Sequence, residues 1–504
     1  VKYFSSRGIS SPVSAAQAIT IGIASDGGLF VPETVPQLKP GDLENMKSWN
    51  YGRRAVFILQ QYLDDFSLEE IELCVNNAYN NSRFDHEEIA PLVKLEPGLF
   101  IQELWHGPTL AFKDMALQIL PHLLTASMKI TGVTEDIVIL VATSGDTGKA
   151  ALEGFKDVGR TRVIVFYPQE GVSVVQKRQM ITQEGNNVYV AAVAGNFDDA
   201  QAGVKRIFAD SDFAAHLQAE GLKLSSANSI NWGRLVPQII YYISAYIDLL
   251  SNEEIKPGEK VNIVVPTGNF GNILAAYYAG KMGLPVNRLI CASNANNVLT
   301  EFINTGRYDR NREFHKTISP SMDILISSNL ERLLYEVTDH DANRVRRWMQ
   351  ELAEQGYYQI DDSTASDIRQ IFQADYCSDE DTLDTIRQTW KQYRYLPDTH
   401  TAVALNVNEK YRNATGDKSV AIVASTASPF KFGSSVARAV LSPAMSDGKP
   451  EFELLRLLSS ATGIQIPTAI RDLEKLPVIH NILTSAGEMP ETIARFLNLN
   501  KLSK

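Results

Sequence analysis

The chain reads as an α/β protein with two parallel-sheet domains and a cleft between them, plus a mainly helical N-terminal region and a helical insertion. Two observations predict this. Apolar, β-branched runs of strand length recur along the chain, at Ile137–Ala142, Arg162–Tyr167, Val188–Val193, Val261–Val265, Leu289–Ser293 and Val420–Ala424. Most run into a turn of Gly, Ser, Thr or Asn and then a helix-favouring segment. Repeated strand–turn–helix units bury strands on both faces and favour parallel sheets covered by helices.

Taken in order, residues 1–95 form a mainly helical domain. Val13–Ile23, Trp49–Leu63 and Leu68–Tyr79 have helical spacing, and Ser67 ahead of Glu69 and Glu70 starts the last. Residues 96–240 form the first α/β domain, with helices at Lys149–Phe155 and Asp198–Phe208. Residues 241–504 form the second, with a helix at Ile273–Met282. At about 330–395 the composition becomes charged and helix-forming, which reads as a surface helical insertion. The last fifty residues read as a mostly helical tail.

Composition excludes several classes. The chain has 504 residues, 44% hydrophobic and 21% charged, with a formal net charge of -11 and no basic block. That argues against a nucleic-acid surface. No apolar run approaches the length of a membrane span, and the first residues lack the apolar core of a secretory signal. Cys74, Cys291 and Cys377 lie far apart, without zinc or disulfide spacing, and no metal-ligand cluster is visible. These features suit a soluble protein of the cytoplasm. A monomer and a homodimer are both compatible with the sequence.

The stretch that points to chemistry is His106-Gly-Pro-Thr-Leu-Ala-Phe-Lys-Asp-Met-Ala-Leu-Gln118. Lys113 sits among Leu110, Phe112, Met115, Ala116 and Leu117. A lysine on an ordinary amphipathic helix is solvated. An amine held among apolar side chains loses its charge more easily and becomes a usable nucleophile or base. The chemistry that most wants such an amine is a Schiff base to a carbonyl, above all pyridoxal phosphate.

Other turns could serve such a cofactor. Pro266-Thr-Gly-Asn-Phe-Gly-Asn272 lies between a strand and a helix, so its N–H groups can converge on a phosphate. Gly195-Asn-Phe-Asp-Asp199 also follows a strand, but its carboxylates cap the helix and repel phosphate. Thr143-Ser-Gly-Asp-Thr-Gly148 offers hydroxyls and amides suited to a substrate carboxylate. Asn228-Ser-Ile-Asn-Trp-Gly-Arg234 places a guanidinium beside amide and hydroxyl donors. Ser425-Thr-Ala-Ser-Pro-Phe-Lys-Phe432 offers a hydroxyl for a pyridine nitrogen. Each of these is also readable as an ordinary capped turn. His106 and His400 could be acids, bases or structural donors.

Together these stretches resemble the long form of threonine synthase. The likeness extends through Lys2–Gly8, Ala24–Phe30, the lysine stretch, Thr143–Gly148, Gly195–Gln201, Ser226–Gln238, Gly268–Asn272 and Ser319–Ile324. It departs at Asp398-Thr-His-Thr-Ala402, where the family pattern has Pro in place of Thr399. The resemblance implies a fold type II pyridoxal-phosphate enzyme with the cofactor in the cleft. Its reaction would be the last step of threonine biosynthesis, O-phosphohomoserine and water giving threonine and inorganic phosphate. By the family's pattern Lys113 would carry the cofactor. Gly268, Asn269, Phe270, Gly271 and Asn272 would surround its phosphate, and Thr426 would face its pyridine nitrogen. Ser229, Arg234 and Asn231 would grip the substrate phosphate, and Thr143, Ser144, Asp146 and Thr147 would bound the substrate's carboxylate side.

Overall fold

The computed structural model describes residues 1–143, 145–170 and 172–499. The strands that frame the cleft are β1 (Leu92–Glu96), β2 (Leu99–Glu103), β3 (Asp136–Ala142), β4 (Thr161–Pro168), β5 (Val188–Val193), β6 (Leu222–Ser225), β7 (Val261–Pro266), β8 (Val286–Ser293), β9 (Phe372–Tyr376), β10 (Ala421–Ser425) and β11 (Ile482–Thr484). One sheet has six strands in the order β9-β8-β7-β10-β2-β1, and the other has five in the order β11-β5-β4-β3-β6. All neighbours run parallel except the β1–β2 hairpin. The central strands β3, β4, β7 and β10 are almost wholly buried. Their continuous β-branched runs therefore reflect cover on both faces.

The sheets do not divide where the sequence was divided. β1 and β2 fall at residues 92–103, yet they pair with β10 at 421–425. The tail contributes β11, which pairs with β5. The domains expected at 96–240 and 241–504 are thus interleaved, because hydrophobic periodicity shows that a strand exists and not which partner it finds. The expected surface insertion at 330–395 also changes character. It carries β9, an edge strand with only Phe372 fully covered, so its alternation was too weak to read. It also holds the buried Arg332, fully shielded from solvent.

Six helices matter for the site: α1 (Asp114–Leu117), α2 (Asp146–Phe155), α3 (Trp232–Ser251), α4 (Gly271–Lys281), α5 (Leu330–Val337) and α6 (Thr399–Thr415). α3 is apolar nearly all round and buried from Trp232 to Ile247, the pattern of a core helix. The N-terminal region supplies the helices Ala15–Ile21, Tyr51–Tyr62 and Leu68–Ala78 and a two-stranded ribbon, Tyr3–Ser5 with Phe30–Pro32. Among the described residues no helix is long and apolar enough to cross a membrane, and no His/Cys/Asp/Glu cluster could hold a metal.

The departure at Thr399 has a simple local reading. Asp398 caps α6, accepting from the N–H groups of His400 (2.9 Å) and Thr401 (3.1 Å). Thr399 is then the first helical residue, where a missing N–H breaks no helical bond. Asp398 is extended, at φ -74 and ψ 173, as a residue before proline must be. Replacing Thr399 by Pro should therefore raise unfolding stability by about 0.4–1 kcal/mol by narrowing the unfolded ensemble. Denaturant unfolding of T399P checks this.

Candidate active site

The lysine turn follows β2 and is stitched to the end of β10. Phe112 N–H donates to the Thr426 carbonyl (2.8 Å), and Ser428 N–H to the Leu110 carbonyl (3.1 Å). Asp114 closes the turn from within, accepting from Thr109 N–H and Thr109 Oγ1, each at 2.8 Å. A Cβ on Gly107 would lie 2.4 Å from that of Asp114, so the turn closes only with glycine there. The helix that follows is short, Asp114–Leu117.

Lys113 projects into the cleft region with its side chain 13% exposed and Nζ 3.8 Å from Asp146 Oδ2. Burial lowers its pKa; Lys431 and Arg234 push the same way, and Asp146 opposes them. Asp146 stands at the start of α2, beyond β3. Its Oδ1 lies 3.1 Å from Lys431 Nζ and accepts from Gln176 Nε2 at 2.8 Å. Its Oδ2 accepts from Ser321 Oγ at 2.9 Å. Burial alone would raise the Asp146 pKa, but Lys431 and Lys113 hold it well below the usual carboxylate range.

The side chain of Asp146 is thus taken up by protein groups. A firmly ionised carboxylate repels a substrate carboxylate; here it is the shared counter-ion of two lysines. Thr143 is likewise turned inward, its Oγ1 accepting from the N–H groups of Gly145 (2.9 Å) and Gly148 (3.0 Å). Thr147 keeps a hydroxyl without a partner among the described residues. Ser144 lies outside the described residues.

The turn after β7 is the clearest anion seat. Among the described residues, the N–H groups of Gly268, Asn269, Phe270, Gly271 and Asn272 have no acceptor, and the first turn of α4 has no acidic residue. The carbonyls are held elsewhere: Ser327 Oγ donates to Gly268 O (2.7 Å), and Asn329 Nδ2 donates to Asn269 O (3.0 Å). Phe270, not a glycine, takes the left-handed conformation at φ +63. Gly268 serves close approach instead, since a Cβ there would lie 2.8 Å from the Ser321 carbonyl oxygen. Asn272 Oδ1 accepts from Tyr241 and Tyr242, while its buried Nδ2 has no acceptor among the described residues.

A second cation lies on α3. Arg234 is buried, and burial pulls its pKa down to about 10. It donates to the Ala227 carbonyl. It has no carboxylate partner among the described residues, and its buried Nε has no acceptor there. Ser229 is part-exposed in the same loop and accepts from Asn329 Nδ2 (3.2 Å). Asn231 is buried; one Nδ2 hydrogen goes to Ile19 O (2.9 Å) and Oδ1 caps α3 at Gly233 N–H (2.8 Å). Those bonds fix its side chain as a helix cap.

The contacts Lys113–Asp146, Asp146–Ser321 and Ser321–Gly268 run without a break from the amine to the anion seat. Thr426, beside the lysine turn, has a hydroxyl with no partner among the described residues. His400 Nδ1 donates to Asp398 Oδ2 (2.7 Å), and its Nε2 accepts the Ser321 N–H (3.1 Å). That network makes it a brace for the Ser321 loop. His106 is a different case, bridging Asp85 (2.6 Å) and Glu103 (2.9 Å). Sequence reasoning passed over Lys431, Ser321, Asn329 and Arg332. Lys431 stood in a quoted turn between two phenylalanines, which was the available signal.

Pyridoxal phosphate fits these residues. A buried amine of lowered basicity, an unfilled cradle of N–H groups and a free hydroxyl match its aldehyde, phosphate and ring nitrogen. Residues 84–375 match the family described as pyridoxal-phosphate dependent enzyme, and residues 2–79 match the threonine synthase N terminus. The chain is a fold type II pyridoxal-phosphate-dependent enzyme. It is 42% identical to human threonine synthase-like 1 over 84% of this chain, which spans 58% of that relative's length. It is 37% identical to threonine synthase of Pseudomonas aeruginosa over 87% of this chain and 90% of that one. The solved PLP-bound threonine synthase of Brucella melitensis superposes with a TM-score of 0.87 at 35% identity, covering 98% of this chain and 99% of that one. This chain belongs to the threonine synthase family.

Two outcomes follow from the geometry. G268A forces the added methyl against a backbone oxygen, an overpacking of about 1–3 kcal/mol. Spectroscopic titration with pyridoxal phosphate should show affinity falling about tenfold or more. For His106, burial lowers the pKa, but the bonds to Asp85 and Glu103 outweigh it and raise it to about 9. The raised value means its stabilisation is full below the unfolded pKa near 6.5 and disappears as pH rises through 9. Denaturant unfolding should show about 1–2 kcal/mol lost over that window, discounted for the exposed Asp85. That loss should be absent in H106Q.

Proposed function

We propose that the chain is a threonine synthase, converting O-phosphohomoserine and water to threonine and inorganic phosphate. The observation that carries this is Arg234. A buried guanidinium without a carboxylate partner among the described residues is unfavourable by several kcal/mol unless an anion meets it. The cofactor's phosphate already has the turn at 268–272, so Arg234 suits a second phosphate. Ser229, in the same loop, can turn its hydroxyl hydrogen toward that group.

Pyridoxal phosphate supplies an electron sink for carbanion chemistry when bound. The chain's residues do the rest. Lys113 Nζ, biased toward its neutral form, takes the proton from the substrate carbon next to the carboxylate and hands protons back along the chain. Asp146 stays ionised and keeps Lys431 satisfied, so the positive field around Lys113 holds steady as protons move. Arg234 stabilises the charge that grows on the departing phosphate oxygens. Thr147 would bound the substrate's carboxylate end, and Thr426 Oγ1 would meet the ring nitrogen with a neutral group. We place the enzyme in the cytoplasm; its three buried free cysteines suit a reducing compartment.

A dehydratase or β-replacing synthase would use the same cofactor but need no second phosphate seat. R234A should cut kcat/KM for phosphate release from O-phosphohomoserine by about 100-fold or more, as loss of a charged partner implies. Cofactor loading, read by visible absorbance before and after borohydride, should persist in R234A and vanish in K113A. Undiminished phosphate release in R234A would overturn the assignment.

A further inference from the structure

The stretch around α5 that sequence analysis left without a role joins the two anion seats. Asn329, just before α5, has each hydrogen-bonding group of its amide engaged. One Nδ2 hydrogen goes to Asn269 O (3.0 Å) in the turn at 268–272 and the other to Ser229 Oγ (3.2 Å) in the loop that precedes Arg234. Its backbone N–H also donates to Asn269 O (3.1 Å). Its Oδ1 accepts from Arg332. Because Arg332 only donates and a carbonyl only accepts, the amide has one orientation.

Arg332 fixes that amide from behind. It is fully buried, and burial lowers its pKa to about 10. Besides Asn329 it donates to Phe30 O (2.9 Å) in the N-terminal ribbon and to Ile230 O in the Ser229–Arg234 loop. Among the described residues it makes no ion pair within 4.0 Å. One rigid unit thus touches the carbonyl of the first seat, the hydroxyl of the second and the backbone between them.

We infer that Asn329, held by Arg332, is a positioning residue that couples the cofactor-phosphate seat to the substrate-phosphate seat, so that filling one tightens the other. The inference rests on the reading of Ser229–Arg234 as a phosphate seat. Asn329 touches neither phosphate. It orients the groups that do, and by linkage any gain runs equally in both directions.

The test uses holoenzyme, in which the first seat is filled and inorganic phosphate can enter only the second. Pyridoxal-phosphate release to a trapping apo-protein is followed with and without saturating inorganic phosphate, whose binding is measured separately by equilibrium dialysis. In the wild-type chain phosphate should slow release at least about fivefold, the lower end of typical coupling. In N329A and R332K phosphate should still bind, while its effect on release falls below twofold. R332K keeps the charge and controls for unfolding in N329A, with thermal unfolding of each variant alongside. Equal slowing in wild type and in folded variants means that phosphate merely blocks the exit, which overturns the inference. Phosphate that binds without slowing wild-type release also overturns it, leaving the proposed reaction intact. Failure of phosphate to bind the wild-type holoenzyme removes both.

Discussion

Three buried cations meet near the site, Lys113, Lys431 and Arg234, and among the described residues one carboxylate, Asp146, lies within ion-pair distance of any of them. Asp146 is shared by Lys113 and Lys431, and Arg234 is left without an anion among the described residues. In water each charge would hold its own hydration shell. Out of water an unpaired charge is unfavourable by several kcal/mol, so the arrangement gains its balance when anions arrive. A chain with formal net charge -11 therefore keeps a local positive field for phosphates, and the net charge says little about the site. The same imbalance depresses the basicity of Lys113. Burial starts that shift, and two neighbouring cations reinforce it against the opposing pull of Asp146.

The fold delivers this imbalance through the ends of strands from both sheets. Lys113 follows β2 and Thr426 follows β10 in one sheet; Asp146 follows β3 and Arg234 follows β6 in the other. Each strand end leaves N–H groups or a helix start pointing out of the sheet edge, which is where ligands of parallel sheets sit. Contacts between the two sets are side chain to side chain, as in Lys113 with Asp146 and Asp146 with Ser321. The interleaved chain path, with β1 and β2 completing a sheet begun after residue 260, ties the lysine turn to the body that carries the phosphate turn. Their spacing is thereby set by backbone pairing rather than by loop packing.

Much of this was legible in the sequence, for a definite reason. The central strands carry unbroken β-branched runs because both faces are covered, and the turns after them carry the residues that local backbone geometry demands. Signals of that kind are short-range. β9 and β11 are edge strands with mixed faces, so no run announced them. The pairing of Asp146 with two lysines was not legible, because Lys431 lies 285 positions away. Asn231 shows the converse: its neighbourhood suggested a ligand, and the Ile19 carbonyl claimed it. Arg332 looked like surface because its helix is charged, yet its partners are carbonyls drawn from residues 30 and 230.

The two glycine turns show how little sequence grammar alone decides an anion site. Both follow a strand and open a helix. At Asn196 the side chain accepts from the N–H groups of Asp198 and Asp199, and Asp199 returns the bond to Asn196 N–H. That capping box consumes the donors and adds negative charge where the helix dipole is positive. At 268–272 no carboxylate occupies the first turn of α4, and the loop's carbonyls are drawn away by Ser327 and Asn329. The donors are left pointing at nothing the chain itself supplies. What separates a capped helix from a phosphate seat is thus the residue that fails to fill it, and the groups behind the loop that keep its oxygens out of the way.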